Sequence, residues 1–544
     1  MKRLKQAPWL VFSVLMGACA PASTPGVTAK QPAVPAAEGP SGAPGSALVW
    51  ATLEPATFAR ARAEQRFVLV DGAAEWCHWC HVMEATTYHD PEVRKLLDAR
   101  FVAVKVDVDT RPDFEERYGA WGWPATVVMT ASGEELGKYR GYLPPEKLLR
   151  ILQDVVASAS STGPAPTDAP GAPATALSEA ELGQVEAWTS RELDEYWDPR
   201  AGGWGRPQKV PLAWDNAWEL SLAQSGDAAA RTRALEALDR QRAIIDPVWG
   251  GICQYSTDGD WTHPHFEKLM TYQSGAIDNY AAAFALTHDE SWLKAAQLVR
   301  RFVDGFMTSP DGGFYATMDA DLNAHDPGKA YVTGHEYYAL GDRERRALGV
   351  PRIDMHEYGR ENGLTIAAFV TLYEASGDPT ALATARRAAA RMLATHATDG
   401  HGISHGVRGE EDSGSVVYLA DNAAVGFALM RLYQATRDAQ YLDAAKSLAA
   451  VVTGPLQDAR GGGFYASTPD PAAVGVFALR RKPFEDNVMA IRFLARLARV
   501  APDDATRAAI DHALSIVTTK AAIEDRGRMI GDLLLALEET KGVR

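Results

Sequence analysis

The chain has 544 residues, which is longer than one ordinary domain and enough to bury a sizeable core. Its composition, 46% hydrophobic and 23% charged, is typical of a globular protein rather than a disordered or membrane-embedded one. The formal net charge of −15 argues against nucleic acid as a partner, because phosphate binding needs a basic surface.

The N-terminus has the pattern of a secretory signal. Basic residues within 2–5 precede a short apolar run at 9–16, and residues 16–19, Met-Gly-Ala-Cys, resemble a bacterial lipoprotein cleavage box. We therefore expect an exported protein on the periplasmic face of a bacterial membrane, attached only by a lipid on Cys19; an ordinary signal peptidase site is the alternative. Residues 20–46, rich in Ala, Pro, Gly and Ser, would form a flexible tether.

Residues 47–156 predict an α/β domain. Helix signals alternate with apolar strand runs, and an Asp-Pro pair at 90–91 marks a helix start. The predicted order is a helix near 58–64, a strand at 67–70, a helix to about 88, a helix to about 99, a strand at 101–108, a helix at 111–118, a strand at 125–130, a hairpin turn at Gly133 and a helix at 145–156.

Cys77 and Cys80 lie between the first strand and the next helix and can alternate between dithiol and disulfide. At the N-terminal end of that helix, unsatisfied amides and the helix dipole would lower the pKa of Cys77. His78 and His81 would favour the thiolate when charged, and exposed helix-face histidines are the competing interpretation. The same spacing also attaches c-type haem and, with a further ligand, binds metal; we favour the redox pair because those uses leave the preceding strand unexplained.

This order of elements resembles thioredoxin. Asp71 corresponds to that family's buried acid, which assists proton transfer with the second cysteine. Pro124 corresponds to its cis-proline, which lies beside the cysteine pair. Trp76 directly precedes the first cysteine. Residues 84–93 also resemble the C-terminal domain of the periplasmic disulfide reductase DsbD, which favours reduction. The resemblance implies a thiol:disulfide oxidoreductase that needs no cofactor and acts on a protein disulfide or a redox partner.

Residues 157–176, almost wholly Ala, Ser, Thr, Pro and Gly, predict a linker, and 177–544 carry a degenerate repeat. Short turns with an aspartate alternate with Gly-Gly loops. This spacing predicts an all-α domain, a closed (α/α)6 toroid in which short turns join inner to outer helices and the Gly-Gly loops form the floor of a funnel. The repeated aspartates are Asp227, Asp289, Asp378, Asp438 and Asp503.

An acidic residue followed by Asn marks the start of four presumed inner helices. Asp and Asn are preferred N-caps, so helix capping is the structural interpretation. The functional interpretation is a polar ring that binds a carbohydrate. The doublets are Asp215-Asn216, Glu361-Asn362, Asp421-Asn422 and Asp486-Asn487.

Two further groups are candidates in the funnel. His265 with Glu267 is a candidate base and partner, and Asp319 with Asp321 would suit glycosidase chemistry if their separation is right. The spacing matches no strong zinc pattern, so no metal is predicted. Cys253 is expected to be buried and inert.

Three motifs together, at residues 77–83, 264–268 and 319–321, resemble the spermatogenesis-associated, thioredoxin-like family, which joins a thioredoxin domain to a six-hairpin toroid like those of sugar 2-epimerases and glycosidases. The chain departs from that family's pattern at Cys253-Gln254 and Gln273-Ser274, on the funnel face. The leading hypothesis is therefore an exported, reductive thiol:disulfide oxidoreductase. The alternatives are a sugar epimerase or glycoside hydrolase in the toroid, and a toroid that only binds a glycan or a protein.

Overall fold

The computed structural model describes residues 48–119, 122–163, 173–326, 328–400, 402–409 and 415–544. Residues 48–544 pack as one compact unit. The predicted signal segment, Cys19 and the whole of the predicted tether lie outside the described residues. Within the described ranges, no helix is both long and apolar enough to cross a membrane.

The N-terminal part is a four-stranded sheet with helices, and it confirms the thioredoxin-like order predicted from the sequence. Strand order is β2-β1-β3-β4, with β1 parallel to β2 and antiparallel to β3. Every residue of β1 is buried, which explains its unbroken apolar start. The elements are α1 (Pro55–Ala63), β1 (Phe67–Ala73), α2 (His78–Thr86), α3 (Pro91–Arg100), β2 (Phe101–Asp107), α4 (Pro112–Tyr118), β3 (Ala125–Met129), β4 (Glu135–Arg140) and α5 (Pro145–Ser158).

The C-terminal part is helical, with a few two-residue strands in its loops. Its elements are α6 (Glu179–Glu195), α7 (Ala213–Gln224), α8 (Ala228–Gln241), β5 (Tyr255–Ser256), β6 (Pro264–His265), β7 (Lys268–Leu269), α9 (Met270–Thr287), α10 (Glu290–Phe306), β8 (Thr317–Met318), α11 (Gly334–Tyr338), α12 (Asp342–Leu348), β9 (Ile353–Asp354), α13 (Gly359–Ser376), α14 (Pro379–Thr395), α15 (Leu419–Thr436), α16 (Ala439–Val452), α17 (Phe484–Val500), α18 (Asp504–Val517), α19 (Lys520–Arg526) and α20 (Gly531–Thr540).

These helices form the predicted toroid. In the described part of the chain, the inner helices are α7, α9, α13, α15, α17 and α20, and each packs against the next; α20 also packs against α7 and closes the ring. Helices α6, α8, α10, α14, α16 and α18 lie outside them. The five predicted turn aspartates are the N-caps of α8, α10, α14, α16 and α18, and each side chain accepts a hydrogen bond from a backbone N–H of its helix.

The asparagines of the doublets are not N-caps, so that interpretation is wrong. The N-cap residues are Leu212, Tyr358, Tyr418 and Pro483, and each asparagine lies four positions further on, inside the first helical turns. The sequence suggested a cap because Asn beside an acid near a helix start looks the same whether it lies at the cap or one turn later.

Three of these asparagines hold the loop that precedes their own helix. The Asn422 side chain accepts from the N–H of Ile403 and donates to its C=O, and Asn362 and Asn487 make the same pair of bonds with Phe314 and Phe464. These buried amides satisfy backbone groups that water cannot reach, which is a structural task rather than carbohydrate binding.

Gln273 does the same work in the second repeat. Its side-chain oxygen accepts from the N–H of Ile252, and its side-chain nitrogen donates to the C=O of Ile252. Gln273 also lies four residues after its N-cap, Leu269. Gln273 therefore makes in this repeat the loop-to-helix contact that an asparagine makes in three others.

The acidic member of two doublets stabilises a neighbouring helix. Asp421 Oδ1 accepts from the N–H of Arg360 at the start of α13, and Asp215 Oδ1 accepts from the N–H of Gly531 at the start of α20. A carboxylate near a helix N-terminus is favoured by the unsatisfied amides and the dipole. Adjacent inner helices are therefore linked at their N-terminal ends.

The thioredoxin part packs on the end of the toroid where the inner helices begin. Leu269 of the toroid packs against its apolar core, and the Phe477 ring lies 6.0 Å from that of Phe114. Polar contacts cross the same boundary, including Arg352 Nη2 to Glu75 Oε2 at 2.6 Å. The face predicted as the funnel floor is thus the face that meets the thioredoxin-like part.

Candidate active site

Cys77 and Cys80 form a disulfide at the start of α2. Cys77 is the N-cap residue of that helix, as predicted, and its side chain accepts a hydrogen bond from the N–H of Cys80. The Trp123–Pro124 peptide bond is cis, as the thioredoxin resemblance implied. The remaining thiol among the described residues, Cys253, is buried, and burial raises its pKa to about 12.

Asp71 lies in β1, where it is 3% exposed. Its Oδ1 accepts a hydrogen bond from the Tyr88 hydroxyl at 3.0 Å. Burial raises the pKa of Asp71 to about 7, with the charge of Lys105 opposing the shift only in part. A carboxyl that titrates near neutral pH can both accept and return a proton under working conditions.

The indole of Trp76 links the cysteine segment to a buried acid. Its Nε1 donates to Asp109 Oδ2 at 2.6 Å. Burial and the charge of Asp107 raise the pKa of Asp109, so this carboxyl favours its neutral form. Trp76 itself is 5% exposed and is held rigidly beside Cys77.

The histidine next to Cys77 is bound by the toroid. His78 Nδ1 lies 2.7 Å from Asp321 Oδ2, and the same oxygen accepts from the Tyr331 hydroxyl at 2.9 Å. Burial alone would lower the pKa of His78, but the hydrogen bond and charge of Asp321 raise it. Burial would raise the pKa of Asp321, yet its bonds with both histidines, His78 and His81, bring it below the ordinary value. The contact therefore favours the form of the pair in which His78 is an imidazolium and Asp321 a carboxylate.

The second histidine of the motif meets the other toroid acid. His81 Nε2 is 3.8 Å from Asp319 Oδ2 and 2.9 Å from the carbonyl oxygen of Glu75. His325, from the toroid loop that follows β8, places its Nε2 at 3.4 Å from the same Asp319 oxygen. Burial raises the pKa of Asp319, and the hydrogen bond from His325 opposes that change.

These contacts decide two of the sequence interpretations. The idea that His78 and His81 lie on an exposed helix face is wrong, because their side chains are 16% and 13% exposed and face Asp321 and Asp319. Asp319 and Asp321 are likewise not a free glycosidase pair. Both are oriented toward histidines of the cysteine motif, His78 and His81.

A cavity of about 540 Å³ lies between the cysteine site and the toroid. Cys77 lines it and is 5% exposed. Aromatic rings from both parts surround it, and so do the predicted site residues Glu267 and Asp421. The aromatic side chains are Trp76, Trp79, Trp123, Tyr255, Tyr272 and Tyr358.

His265 and Asp486, which were also predicted as site residues, do not line this cavity. His265 stacks on Tyr255 with ring centroids 4.1 Å apart, and its Nδ1 is 3.9 Å from Glu267 Oε2, too far for a hydrogen bond. Asp486 lines an adjoining cavity inside the ring, and burial raises its pKa to about 7. The predicted base and partner are therefore not assembled as a pair.

Lys268, which follows Glu267 in the second family motif, has a structural role. Its Nζ is buried, 3.1 Å from Asp246 Oδ2 and 2.7 Å from the C=O of Gly250. Lys209 with Asp198 and Lys482 with Asp458 repeat this contact beside their own glycine loops. Lys268 in this motif therefore stabilises the fold of the repeat rather than forming part of the candidate site.

Sequence reasoning missed His405 and Arg360, which both line the cavity. His405 Nδ1 contacts Asp421 at 3.2 Å, and its Nε2 lies 2.8 Å from the C=O of Asp109. Burial alone would lower the pKa of His405, but the charge of Asp421 raises it to about 9. Arg360 precedes a doublet and could have been noticed there; a lone histidine in a loop gives no such signal.

Asp71 gives a stability prediction whose sign follows from its raised pKa. Between pH ~4 and ~7 the unfolded chain has lost this proton and the folded chain keeps it, so wild-type stability falls as pH rises. Asp71→Asn removes that penalty while its oxygen still accepts from Tyr88. We expect the variant to be more stable at pH 8 by on the order of 2–4 kcal/mol, with the difference vanishing near pH 4. Urea unfolding at both pH values measures this, and an equal or lower stability at pH 8 would contradict it.

Comparison with known proteins agrees with both parts of the fold. A family model described as a protein of unknown function, DUF255, and named Thioredox_DsbH, matches residues 45–160, and the Glycosyl Hydrolase Family 88 model matches residues 344–529. Thioredoxin from Alicyclobacillus acidocaldarius is 30% identical over 108 residues, which cover 19% of this chain and 96% of that protein.

Human spermatogenesis-associated protein 20 is 31% identical over 304 residues, or 48% of this chain and 38% of the human protein. The match therefore spans less than two fifths of that relative's length. Among solved structures, a D-mannose isomerase has TM-score 0.51 at 10% identity, covering 67% of this chain and 97% of that one.

Cellobiose 2-epimerase from Spirochaeta thermophila has TM-score 0.50 at 14% identity, covering 67% of this chain and 98% of that one. At these identities the two sugar enzymes support the toroid fold alone. The N-terminal part of the chain belongs to the thioredoxin family. The chain joins this thioredoxin-like domain to a six-hairpin helical toroid and is similar over part of its length to spermatogenesis-associated protein 20.

Proposed function

We propose that this chain is a thiol:disulfide oxidoreductase that acts through Cys77 and Cys80. The observation that carries the proposal is the placement of the two sulfurs. They form a disulfide at the start of α2, and Cys77, unlike Cys80, lines the cavity between the two parts. The nucleophile is therefore presented to a ligand while the resolving cysteine is kept behind it.

The reaction balances as two exchange steps. In the dithiol form, the Cys77 thiolate attacks a substrate disulfide, forms a mixed disulfide and releases one substrate thiolate. The Cys80 thiolate then attacks the Cys77 sulfur and releases the second substrate thiol. Asp71, whose pKa is about 7, accepts the proton from Cys80. A dithiol reductant restores the pair, and the DsbD resemblance supports the reductive direction.

The toroid contributes to this chemistry through His78. A positive charge next to a thiol favours the thiolate, and the Asp321 carboxylate 2.7 Å away favours that positive charge on His78. The acids that suggested carbohydrate chemistry thus support the redox reaction. Asp321 is a positioning residue here, because it acts through His78 and not on the substrate.

The position of the toroid also limits the substrate. Residues 254–255 and 269–272 of the toroid line the same cavity as Trp76, Cys77 and Trp123, on the face that the thioredoxin resemblance assigns to a protein substrate. A cavity of about 540 Å³ is in the ordinary range for small ligands. The substrate proposed here is therefore a low-molecular-weight disulfide rather than a folded protein.

The lining favours positively charged substrates. Six carboxyl-bearing residues line the cavity, against the cations Arg360 and His405; they are Asp109, Glu115, Glu267, Glu361, Asp421 and Glu485. Burial raises the pKa of Asp109 and of Glu361, and a cationic group of a ligand beside them would lower it again. Glu267 Oε2 and Glu361 Oε2 are buried and make no hydrogen bond within the described residues. Unpartnered carboxylate oxygens beside aromatic rings suit a ligand that brings ammonium or hydroxyl donors.

Carbohydrate binding is the second candidate, because the same rings and oxygens would also suit a polyol. Of the toroid residues on which that hypothesis rested, Glu267, Glu361 and Asp421 line the cavity. Export and a lipid on Cys19 remain part of the proposal on the strength of the N-terminal sequence, and they place the reductant outside the cytoplasm.

Replacing Cys77 tests the function directly. The full chain with Cys77→Ser should lose dithiothreitol-dependent reduction of 2-hydroxyethyl disulfide, and Cys80→Ser should accumulate a mixed disulfide on Cys77 that mass spectrometry detects. Cys253→Ser is the matched control and should keep full activity, since that thiol is buried. Wild-type rates in the Cys77→Ser protein would exclude the proposed function.

Asp321→Asn tests the contribution of the toroid. Without the carboxylate, the pKa of His78 falls and the thiolate of Cys77 loses a neighbouring charge, so the pKa of Cys77 should rise by about one unit. The pH dependence of thiolate absorbance in the reduced protein reports this value. Asp326→Asn, which breaks a more exposed pair with Lys329 on the same loop, is the control and should leave the profile unchanged.

Substrate choice tests the cavity. We expect kcat/KM for cystamine to exceed that for dithiodiglycolate by about tenfold, an energy difference of ~1.4 kcal/mol. Glu361→Gln should reduce this ratio severalfold without changing the rate with neutral 2-hydroxyethyl disulfide. Glu344→Gln, at an exposed position, is the control and should leave the ratio unchanged.

Insulin reduced as fast as cystamine would refute the small-substrate proposal but leave Cys77 chemistry intact. Sugar epimerisation or hydrolysis by the Cys77→Ser protein would favour the second candidate.

A further inference from the structure

We infer that His81, Asp319 and His325 form a binding site for a divalent first-row transition-metal ion, with Zn²⁺ as the ion that best fits the donors. The site lies where α2 of the thioredoxin part meets the toroid loop after β8. Neither sulfur of the redox pair belongs to it, so the inference does not depend on the proposed function.

The three side chains direct their donor atoms to one point. One ligand atom from each lies within 4.8 Å of the others. Asp319 Oδ2 is 3.4 Å from His325 Nε2 and 3.8 Å from His81 Nε2. Donor atoms around tetrahedral zinc, at ~2.1 Å from the ion, are ~3.4 Å apart, so the observed spacing leaves room for an ion with little rearrangement.

The carboxylate is oriented for this purpose. Asp319 is 2% exposed, and its Oδ1 accepts from the N–H of Asp321 at 2.9 Å. Its other oxygen, Oδ2, is buried and faces His325 Nε2 at 3.4 Å and His81 Nε2 at 3.8 Å. One oxygen is thus fixed by the backbone while the other faces two imidazoles. A hydrogen bond that orients a ligating carboxylate is a common feature of metal sites.

The two imidazoles are arranged in the same way. The rings of His81 and His325 are 4.7 Å apart and nearly perpendicular, and both Nε2 atoms lie near the carbonyl oxygen of Glu75, at 2.9 and 2.7 Å. Two imidazole nitrogens and one carboxylate oxygen are the donors that zinc binds in three-ligand sites. Such a site leaves a coordination position open, and the Glu75 carbonyl borders it.

An ion here would connect the two parts of the molecule. His81 belongs to the redox helix, whereas Asp319 and His325 belong to the toroid. Because binding an ion to the folded chain alone stabilises that fold, zinc should stabilise the assembled molecule. The sequence did not predict this site because its ligands are spread over two distant motifs and one histidine that follows no pattern.

Calorimetric titration of the full chain with Zn²⁺ tests the inference. The protein is stripped with a chelator and kept with its Cys77–Cys80 disulfide formed, so that thiols do not compete for the metal. We expect one Zn²⁺ per chain, a rise in thermal midpoint with zinc, and at least a tenfold loss of affinity in His325→Ala. His325 is about one third exposed, so that variant should fold. His263→Ala, which removes another histidine paired with an aspartate, is the control and should bind zinc like the wild type.

Two results would overturn the inference. The first is a wild-type chain that binds no zinc at millimolar concentration. The second is a His325→Ala chain that binds zinc as tightly, and is stabilised by it as much, as the wild type. Either result would leave the cluster as a set of histidine and aspartate contacts that only joins the two parts.

Discussion

The contact between the buried carboxylate of Asp321 and His78 is the interaction on which the packing of the cysteine site against the toroid depends. It is 1% exposed and accepts from His78, from the Tyr331 hydroxyl and from the N–H of Gly334. An uncompensated buried charge costs several kcal/mol, so the Asp321 carboxylate of the toroid loop depends on its contact with His78 of α2. The helix in turn needs the carboxylate, because burial would otherwise drive His78 to its neutral form. The electrostatics of the cysteine site are therefore shared between two parts that the sequence presents as separate domains.

The ring of inner helices makes that sharing possible because it is held rigidly at one end. Asn362, Asn422 and Asn487 join each loop to the helix that follows it, and Asp421 joins one helix to the next. His405 continues this network by contacting both Asp421 and the backbone of Asp109. The cavity wall is thus built from groups whose hydrogen bonds are largely satisfied by backbone. This makes the unpartnered oxygens of Glu267 and Glu361 stand out as the groups free to meet a ligand.

Local signals were enough to predict most of the fold. The apolar run of β1, the Asp90 cap and the spacing of the turn aspartates each act within a few residues, so the thioredoxin order and the ring of six hairpins followed from them. The site was harder to predict. His78 and Asp321 are 243 residues apart, and nothing in an Asp-x-Asp motif distinguishes partners for histidines from a glycosidase pair. The prediction that the Asn doublets are N-caps was wrong for a different reason, since a cap and a position one turn later share the same local sequence pattern.

The covered position of Cys77 has a consequence for selectivity. In an open thioredoxin site, recognition comes from a groove that any flexible disulfide-bearing segment can enter. Here the nucleophile faces a cavity whose far wall is the toroid, and separating the two would break the contacts of Asp321, His405 and Arg352 with the redox domain. Each of these would leave a charged or polar group without its partner, so opening is costly and the closed arrangement is favoured. Under the proposed function, size and charge of the disulfide, rather than the sequence around it, would then decide what reaches the sulfur.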